Sequence, residues 1–288
     1  MQFLFETLLN SAVASASTAL VVVGLALIFG VMRIENFSHG ELYMAGAYAT
    51  WFFGTGLGMS YWTGLAGAVI ATALIGAFME LFLFRRLRGN PMGALIITIG
   101  VLLVLQTAAA WLFGINSNLL VDTPFPGVAH LGTLNVPWHR LFVIAAAVLI
   151  LGALTITLKT TKFGWALRAV AQDKEAASLQ GISIGAMSLA AMSLSAALAG
   201  AAGALMAPIV RISPFMGQPV IISAFIVIIL GGIGSMEGAI IAAIVYSTFF
   251  TFVSAYFDST IASIAGLCLM LLVLVVKPSG LMGKAQKV

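Results

Sequence analysis

Long apolar runs separated by short polar interruptions make up most of this 288-residue chain. Several runs approach or exceed the ~20 residues that a helix needs to cross the hydrocarbon core of a bilayer, and the alternation typical of strands is absent. A helix satisfies its own backbone hydrogen bonds inside lipid, so such runs are expected to cross as helices and not as a β-barrel. The pattern predicts an all-α fold, a polytopic integral membrane helix bundle.

The runs predict eight or nine transmembrane helices within a single membrane domain, residues 1–288. The number depends on whether the second and most polar run crosses the bilayer completely. The proline-containing loop 115–139 is expected to be irregular, and the stripes Ala199/Gly203/Ala207 and Gly54/Gly58 predict close helix packing. The predicted spans are 8–32, 36–57, 61–84, 94–114, 141–158, 186–207, 219–235, 239–257 and 261–276.

Composition agrees with a membrane protein, since 61% of the residues are hydrophobic and 8% are charged, against about 45–50% and 25% in soluble domains. Nine crossings place 11 of the 13 Lys and Arg residues on one side, leaving Arg140 and Arg211 on the other. The positive-inside rule then predicts an external N-terminus and a cytoplasmic C-terminus. The net charge of +4 is explained by this asymmetry and does not indicate a nucleic-acid partner. The cytoplasmic set is Arg33, Arg85, Arg86, Arg88, Lys159, Lys162, Arg168, Lys174, Lys277, Lys284 and Lys287.

A polar interruption at residues 159–183 lies between two long apolar runs and is expected in the cytoplasm. Arg168, Gln172 and Glu175 follow i, i+4, i+7 spacing, which predicts one shared helix face. Gly181 is expected to end that helix because it tolerates a left-handed backbone. The interruption is therefore either a docking helix or a solvated connection between two spans.

The order of residues favours docking. Glu175-Ala176-Ala177, followed after three residues by Gly181, resembles the EAA loop of ABC-importer permeases. The preceding string Arg168-Ala-Val-Ala-Gln-Asp173 narrows the resemblance to LivH-type permease subunits of branched-chain amino acid importers. The Ile-x-Leu-Pro continuation of the broader motif is missing, which is typical of this group. Similar family signatures occur at 24–48, 230–239 and 277–283, so the resemblance covers almost the whole chain.

The resemblance implies a division of labour between chains. The expected partners are a second, homologous but different permease subunit, two cytoplasmic ATPase subunits that bind ATP and Mg, and an extracytoplasmic substrate-binding protein. The expected substrate is leucine, isoleucine, valine or a related small amino acid; related systems carry urea or short amides. The expected location is the bacterial inner membrane. The ATPase-coupling residues implied are Arg168, Gln172, Asp173, Glu175, Ala176, Ala177 and Gly181.

No phosphate-binding Gly-x-x-x-x-Gly-Lys-[Ser/Thr] loop occurs in the chain, so the ATPase activity is expected on partner subunits. The chain also shows no catalytic set of residues and no expected cofactor. His130 and His139 do not form a convergent set of metal ligands, so no metal site is predicted.

Polar residues at the start of the second run, Asn36, Ser38, His39 and Glu41, are candidates for the translocation pathway or its gate, because ionisable groups at membrane depth are costly. The alternative is that they cap a helix at the cytoplasmic interface, with Ser38 or Asn36 as N-cap and Glu41 in the first turn. A different function class, a stand-alone secondary transporter or channel, would use Glu41 and His39 for ion coupling. Gly231, Gly232 and Gly234 are also pathway candidates, because so flexible a segment can leave backbone carbonyls uncovered or break a helix.

Overall fold

The structure, a computed structural model, describes residues 2–131 and 134–283. Helices dominate this part of the chain. Within it, π-helical turns Phe52–Gly56 and Met79–Leu83 extend α2 and α3, and a 3₁₀ turn, Phe84–Leu87, follows the second of these. The α-helices are α1 Gln2–Met32, α2 His39–Trp51, α3 Tyr61–Phe78, α4 Pro91–Phe113, α5 Trp138–Thr160, α6 Lys162–Gln172, α7 Lys174–Leu179, α8 Ile184–Met206, α9 Gly217–Gly231, α10 Met236–Tyr256 and α11 Ser259–Val276.

Seven of these helices are long and apolar enough to cross a membrane, when α3 is counted with its extension as Tyr61–Leu87. The shorter helices α2 and α9 also run through the bundle, which gives nine bundle helices in the described residues. The prediction of an all-α, polytopic membrane helix bundle is therefore confirmed. Of these nine, α2 begins at His39 and α9 begins at Gly217, and both are shorter than a regular crossing.

The core of the bundle forms around α1 and α8. Every residue of α1 from Ala19 to Ile28 is buried, and α8 lies against α1, α2 and α3. Small residues allow this approach: a Cβ atom on Gly203 would collide with the carbonyl oxygen of Tyr43. The predicted stripe Ala199/Gly203/Ala207 therefore packs as expected. In the second stripe, Gly54 is buried and its backbone nitrogen would lie 3.4 Å from a Cβ atom on Gly64 of α3, whereas Gly58 is exposed and an added Cβ there meets nothing within 4 Å.

Helices α2 and α9 begin inside the bundle and run to opposite ends of it. The Nε2–H of His39 donates to the carbonyl oxygen of Val21 (3.0 Å), and Val21 lies ~16 Å along α1 from Met32 at 1.5 Å per residue. A Cβ atom on Gly217 would lie 2.6 Å from the carbonyl oxygen of Gly40. The N-termini of the two helices therefore meet deep in the bundle.

The two ends of the bundle differ. At one end, called the α6–α7 end, Lys159 of α5 contacts Glu237 of α10. At the other end, antiparallel strands β1 Val128–Leu131 and β2 Leu134–Pro137 form a hairpin. The expectation of an irregular loop at 115–139 is therefore wrong for these two strands. Strands of four residues are too short to produce a clear alternation in the sequence.

Candidate functional site

The segment that joins α5 to α8 forms two helices where the sequence predicted one. Asp173 ends α6 and caps α7, with its Oδ1 accepting hydrogen bonds from the backbone N–H of Glu175 (2.9 Å) and Ala176 (3.0 Å). Asp side chains compete with helical hydrogen bonding and favour such caps. The predicted common helix face of Arg168, Gln172 and Glu175 is therefore wrong, since the helix breaks before Glu175.

The end of α7 follows the prediction. Gly181 has a φ of +80°, and its N–H donates to the carbonyl oxygen of Ser178 (3.0 Å), while Ile182 donates to Ala177 (3.1 Å). This is the left-handed ending for which glycine has no steric penalty. Gly181 therefore ends the helix, as expected.

The outward side of α6 and α7 is a continuous exposed surface. Ala177 is buried beneath it, and Leu167 and Val170 hold α6 against the bundle. The sequence analysis did not single out Leu179, whose side chain is 86% exposed. The signal for it was an isolated leucine within a polar segment. We call this the coupling surface: Arg168, Gln172, Asp173, Glu175, Ala176, Leu179 and Gly181.

Lys174 ties α7 to the end of α1. Its Nζ donates a hydrogen bond to the carbonyl oxygen of Met32 (3.1 Å), where a cation complements the negative end of the helix dipole. Burial lowers the pKa of Lys174, and the nearby Arg33 and Arg88 lower it further. The coupling surface is thus attached to the helix at the centre of the bundle.

The polar residues around the start of α2 are fully buried: Asn36, Ser38, His39 and Glu41 have no exposed surface. Ser38 occupies the N-cap position, but its hydroxyl donates to Oδ1 of Asn36 (2.6 Å) and does not cap the helix. The interfacial-cap interpretation is therefore wrong about location. Glu41 lies in the first turn of α2, where a negative charge complements the positive end of the helix dipole, but this position is deep inside the bundle.

Glu41 connects three helices. Its Oε1 accepts a hydrogen bond from Nε2 of Gln106 in α4 (2.9 Å), and its carboxyl carbon would lie 2.8 Å from a Cβ atom on Gly217 at the start of α9. Its Oε2 is buried and has no hydrogen-bond partner in the described chain. The N-termini of α2 and α9 therefore both face one buried carboxylate. Gln106 was missed in the sequence, although a lone amide within an apolar run was a visible signal.

His39 points to a different neighbour. Its ring bonds to Val21 and packs beside Gly24, whose carbonyl oxygen accepts a hydrogen bond from Ser195 of α8 (2.7 Å). His39 thus joins α2 to α1, whereas Glu41 joins α2 to α4. The hydrogen bonds of the two side chains therefore link them to separate parts of the bundle.

Gly231 is the last residue of α9, and Gly232 and Gly234 lie in the turn between α9 and α10. Gly232 and Gly234 have φ values of +98° and +86°, so the predicted helix break is confirmed. The carbonyl oxygens of Leu230 and Gly231 accept hydrogen bonds from the N–H groups of Leu281 and Met282. The expectation that carbonyls are left uncovered here is therefore wrong for these two. Gly234 lines a cavity of about 440 Å³ between α1, α5, α6 and α10. A pathway role for the three glycines stays a prediction.

The described chain contains no group of three or more His, Cys, Asp or Glu residues arranged to hold a metal ion. His130 instead lies on the hairpin, within hydrogen-bonding distance of Asn135 (2.7 Å). His139 donates from Nε2 to the carbonyl oxygen of Leu205 (3.0 Å). His139 is buried and joins α5 to α8, whereas His130 is exposed.

Comparison with known proteins gives a consistent result. Residues 7–277 match the family model described as branched-chain amino acid transport system, permease component. The high-affinity branched-chain amino acid transport system permease protein LivH of Salmonella typhimurium is 28% identical, covering 99% of this chain and 98% of its own. BraD of Pseudomonas aeruginosa, with the same description, is 28% identical over 98% of this chain and 96% of its own.

An archaeal relative extends the similarity. The probable branched-chain amino acid transport permease protein LivH of Methanocaldococcus jannaschii is 26% identical over 92% of this chain and 88% of its own. No solved structure matches the chain.

Proposed function

The chain belongs to the family of permease components of branched-chain amino acid transport systems, and on this premise we propose that it forms the membrane path of an ATP-binding-cassette importer for branched-chain or similar small amino acids. The chain is a multi-pass membrane protein and a component of a transporter. In the proposal it works with a second, homologous permease, two ATPase subunits and an extracytoplasmic binding protein. ATP and Mg bind to the ATPase subunits, and this chain binds no cofactor.

The coupling surface is the observation that supports ATPase coupling best. It projects from the bundle between two spanning helices, and its exposed Leu179 offers an apolar contact to a partner. Lys174 attaches α7 to Met32 of α1, so a partner that moves α7 would also act on the central helix. Rigid elements of this kind transmit domain closure.

Charge supports the proposed orientation. Arg140 and Arg211 belong to segments at the hairpin end. Nine basic residues belong to segments at the α6–α7 end: Arg33, Arg85, Arg86, Arg88, Lys159, Lys162, Arg168, Lys174 and Lys277. Lys284 and Lys287 lie outside the described residues. On the positive-inside rule we propose that the α6–α7 end faces the cytoplasm, with the N-terminus outside and the C-terminus inside the bacterial inner membrane.

The cavity of about 440 Å³ beside α6 supports a small apolar substrate. Its walls include Val23, Ala26 and Leu27 of α1, and Arg168 and Glu237 also line it. Apolar walls with a few polar groups suit a ligand that has an apolar side chain and charged termini.

A stand-alone, ion-driven transporter is the alternative. It would need Glu41 and His39 to take part in ion coupling. The hydrogen bonds of Glu41 and His39 lead to α4 and α1 respectively, which supports separate structural roles better than a shared ion site. Family membership favours the importer.

The test is co-expression of the proposed subunits followed by affinity purification through this chain and uptake measurement in liposomes. Glu175→Arg reverses a charge on the coupling surface and is expected to remove the ATPase subunits and reduce ATP-driven uptake by about tenfold or more, as buried charge mismatches at interfaces cost several kcal/mol. Asp122→Arg, an exposed charge reversal in the loop at the hairpin end, is the matched control for assembly and is expected to retain the ATPase subunits.

Two results would contradict the proposal. One is transport by this chain in liposomes without an ATPase, which would support the ion-driven alternative. The other is intact assembly and uptake in Glu175→Arg, which would remove α7 from the coupling interface.

A further inference from the structure

A cavity of about 470 Å³ opens at the α6–α7 end, among the end of α1, the turn before α4, α7 and the start of α8. It is separate from the cavity beside α6. Three basic residues line it: Arg33, Arg88 and Lys174. Arg33 and Arg88 are 55 residues apart in sequence, and Arg88 and Lys174 are 86 residues apart, so only the fold brings these cations together.

The described residues balance the positive charge in this cavity only in part. Glu80 is the acidic residue of the cluster, and it is buried and paired with Arg88. Neither Arg33 nor Lys174 forms an ion pair in the described chain, where the other pair is Lys159–Glu237. Burial and the two arginines lower the pKa of Lys174. An anion in the cavity would relieve the mutual repulsion of these groups.

The backbone around the cavity also favours an anion. Asn90, Pro91 and Ala94 at the start of α4, and Ile184 and Ser188 at the start of α8, line it. The first turns of two 23-residue helices therefore line the same space, and helix N-termini carry partial positive charge.

Arg33 holds an unusual backbone conformation at this position. Its φ is +59°, and among the described residues it is the one non-glycine residue with a positive φ. Its N–H donates to the carbonyl oxygen of Phe29 (3.1 Å), so it ends α1 in the left-handed region. A side chain there costs about 1–2 kcal/mol relative to glycine. Glycine would avoid this cost but would supply no guanidinium to the cavity, so the strained position is consistent with a role for the Arg33 side chain.

We propose that this cavity binds a phosphate group, with Arg33, Arg88 and Lys174 as its cationic partners. The source favoured by the surroundings is an anionic phospholipid of the leaflet at the α6–α7 end. Beside the cavity, α4 exposes an apolar face in which Met92 is 67% and Ile96 62% exposed, followed by Ile99 and Leu103. Acyl chains can lie along this face while the headgroup phosphate enters the cavity.

The site has a consequence for the coupling surface. Lys174 contacts both the cavity and the end of α1, so a bound phosphate would hold α7 against α1. Lipid composition would then affect the stability of α7. The inference goes beyond the proposed function, because it depends on the cavity and its charges and not on the substrate or the ATPase.

The experiment measures lipid retention by the purified full-length chain in mild detergent, using native mass spectrometry with dioleoyl phosphatidylglycerol and dioleoyl phosphatidylcholine as probes. The wild-type chain is expected to retain phosphatidylglycerol in preference to phosphatidylcholine. The double variant Arg33→Gln/Lys174→Gln should weaken this retention about tenfold or more, on the scale that each basic residue contributes near an anionic lipid.

The matched control is Arg86→Gln/Lys162→Gln, which removes two exposed charges at the same end, neither of which lines the cavity. It is expected to retain phosphatidylglycerol. Equal retention by the cavity variant and the control would overturn the proposal. If the cavity variant does not fold, the wild-type comparison decides: equal retention of the two lipids would also overturn it.

A second arm identifies the source of the phosphate. Inorganic phosphate at millimolar concentration is added to the wild-type chain bound to phosphatidylglycerol. No displacement supports the lipid source. Displacement supports the same phosphate site with a soluble phosphate as its occupant.

Discussion

Glu41 of α2 accepts a hydrogen bond from Gln106 of α4, with 2.9 Å between Oε1 and Nε2, and both side chains are buried. Few other contacts join α4 to the bundle, since much of its surface is exposed. The carboxylate also faces the start of α9 beside Gly217. One buried pair therefore links the loosely packed α4 to the two helices that begin inside the bundle.

Replacing Gln106 should destabilise the protein. Gln106→Leu removes the donor and leaves the Glu41 carboxylate buried with less compensation, which is expected to cost about 1–3 kcal/mol. Thr98→Val is the control on the same buried face of α4, because the Thr98 hydroxyl bonds only to Leu95 of its own helix. Thermal unfolding in detergent should show a lower midpoint for Gln106→Leu; equal midpoints would exclude a stabilising role for the pair.

Uptake by Glu41→Gln tests whether Glu41 takes part in transport. The amide can still accept a hydrogen bond from Gln106, but it places an NH₂ group near the N-terminus of α9, where donors already point. We expect uptake to fall at equal expression while the ATPase subunits remain bound. Unchanged uptake would remove Glu41 from the pathway residues.

Gly217→Ala should disrupt the meeting of α2 and α9. The added methyl would lie 2.6 Å from the carbonyl oxygen of Gly40 and 2.8 Å from the carboxyl carbon of Glu41, so one helix must shift. Gly100→Ala in α4 is the control, because its methyl meets nothing within 4 Å, and it is expected to stabilise the helix by up to about 1 kcal/mol. The yield of folded protein after detergent extraction checks both; similar yields would contradict the close contact.

Leu179→Asp should weaken ATPase binding without affecting membrane insertion. Leu179 contributes exposed apolar surface to the coupling surface, and its burial by a partner would be worth about 1.5–3 kcal/mol. Leu120→Asp, an exposed leucine in the loop at the hairpin end, is the control. Co-purification of the ATPase subunits is expected to fall for Leu179→Asp alone, and equal recovery from both variants would place the contact elsewhere.

Gly232→Ala and Gly234→Ala separate steric contact from backbone strain. Both glycines have positive φ, but a methyl on Gly232 would lie 2.5 Å from the backbone nitrogen of Gly283, whereas one on Gly234 meets nothing within 4 Å. Gly234→Ala is expected to cost about 1–2 kcal/mol from the left-handed backbone, and Gly232→Ala more, because it displaces the C-terminal segment. Thermal midpoints measure the difference, and a larger loss in Gly234→Ala would contradict the packing described.

Sequence patterns predicted regular elements well and interruptions less well. Runs of apolar residues marked the membrane helices because each helix must satisfy its own backbone in lipid. The Asp173 break was missed because helical spacing on both sides of it, from Arg168 to Glu175, agreed with a single helix. Only the cap geometry of Asp173 distinguishes the two arrangements.

The buried polar residues were predicted as a group, but their partners were not. Asn36, Ser38, His39 and Glu41 stood out because polar groups at membrane depth are costly. Gln106 and Gly217, which meet Glu41, lie 65 and 176 residues further along the chain. No local pattern encodes contacts of that separation.

The sequence alone determined the membrane class, the order of the long helices, the polar segment between α5 and α8, and the glycine that ends α7. Each depends on local backbone chemistry or on transfer of side chains from water to lipid. Tertiary structure decided where α2 and α9 begin, which carboxylate their N-termini share, and which cations line one cavity. These depend on packing between helices distant in sequence, where close approach of small residues and pairing of buried polar groups select one arrangement.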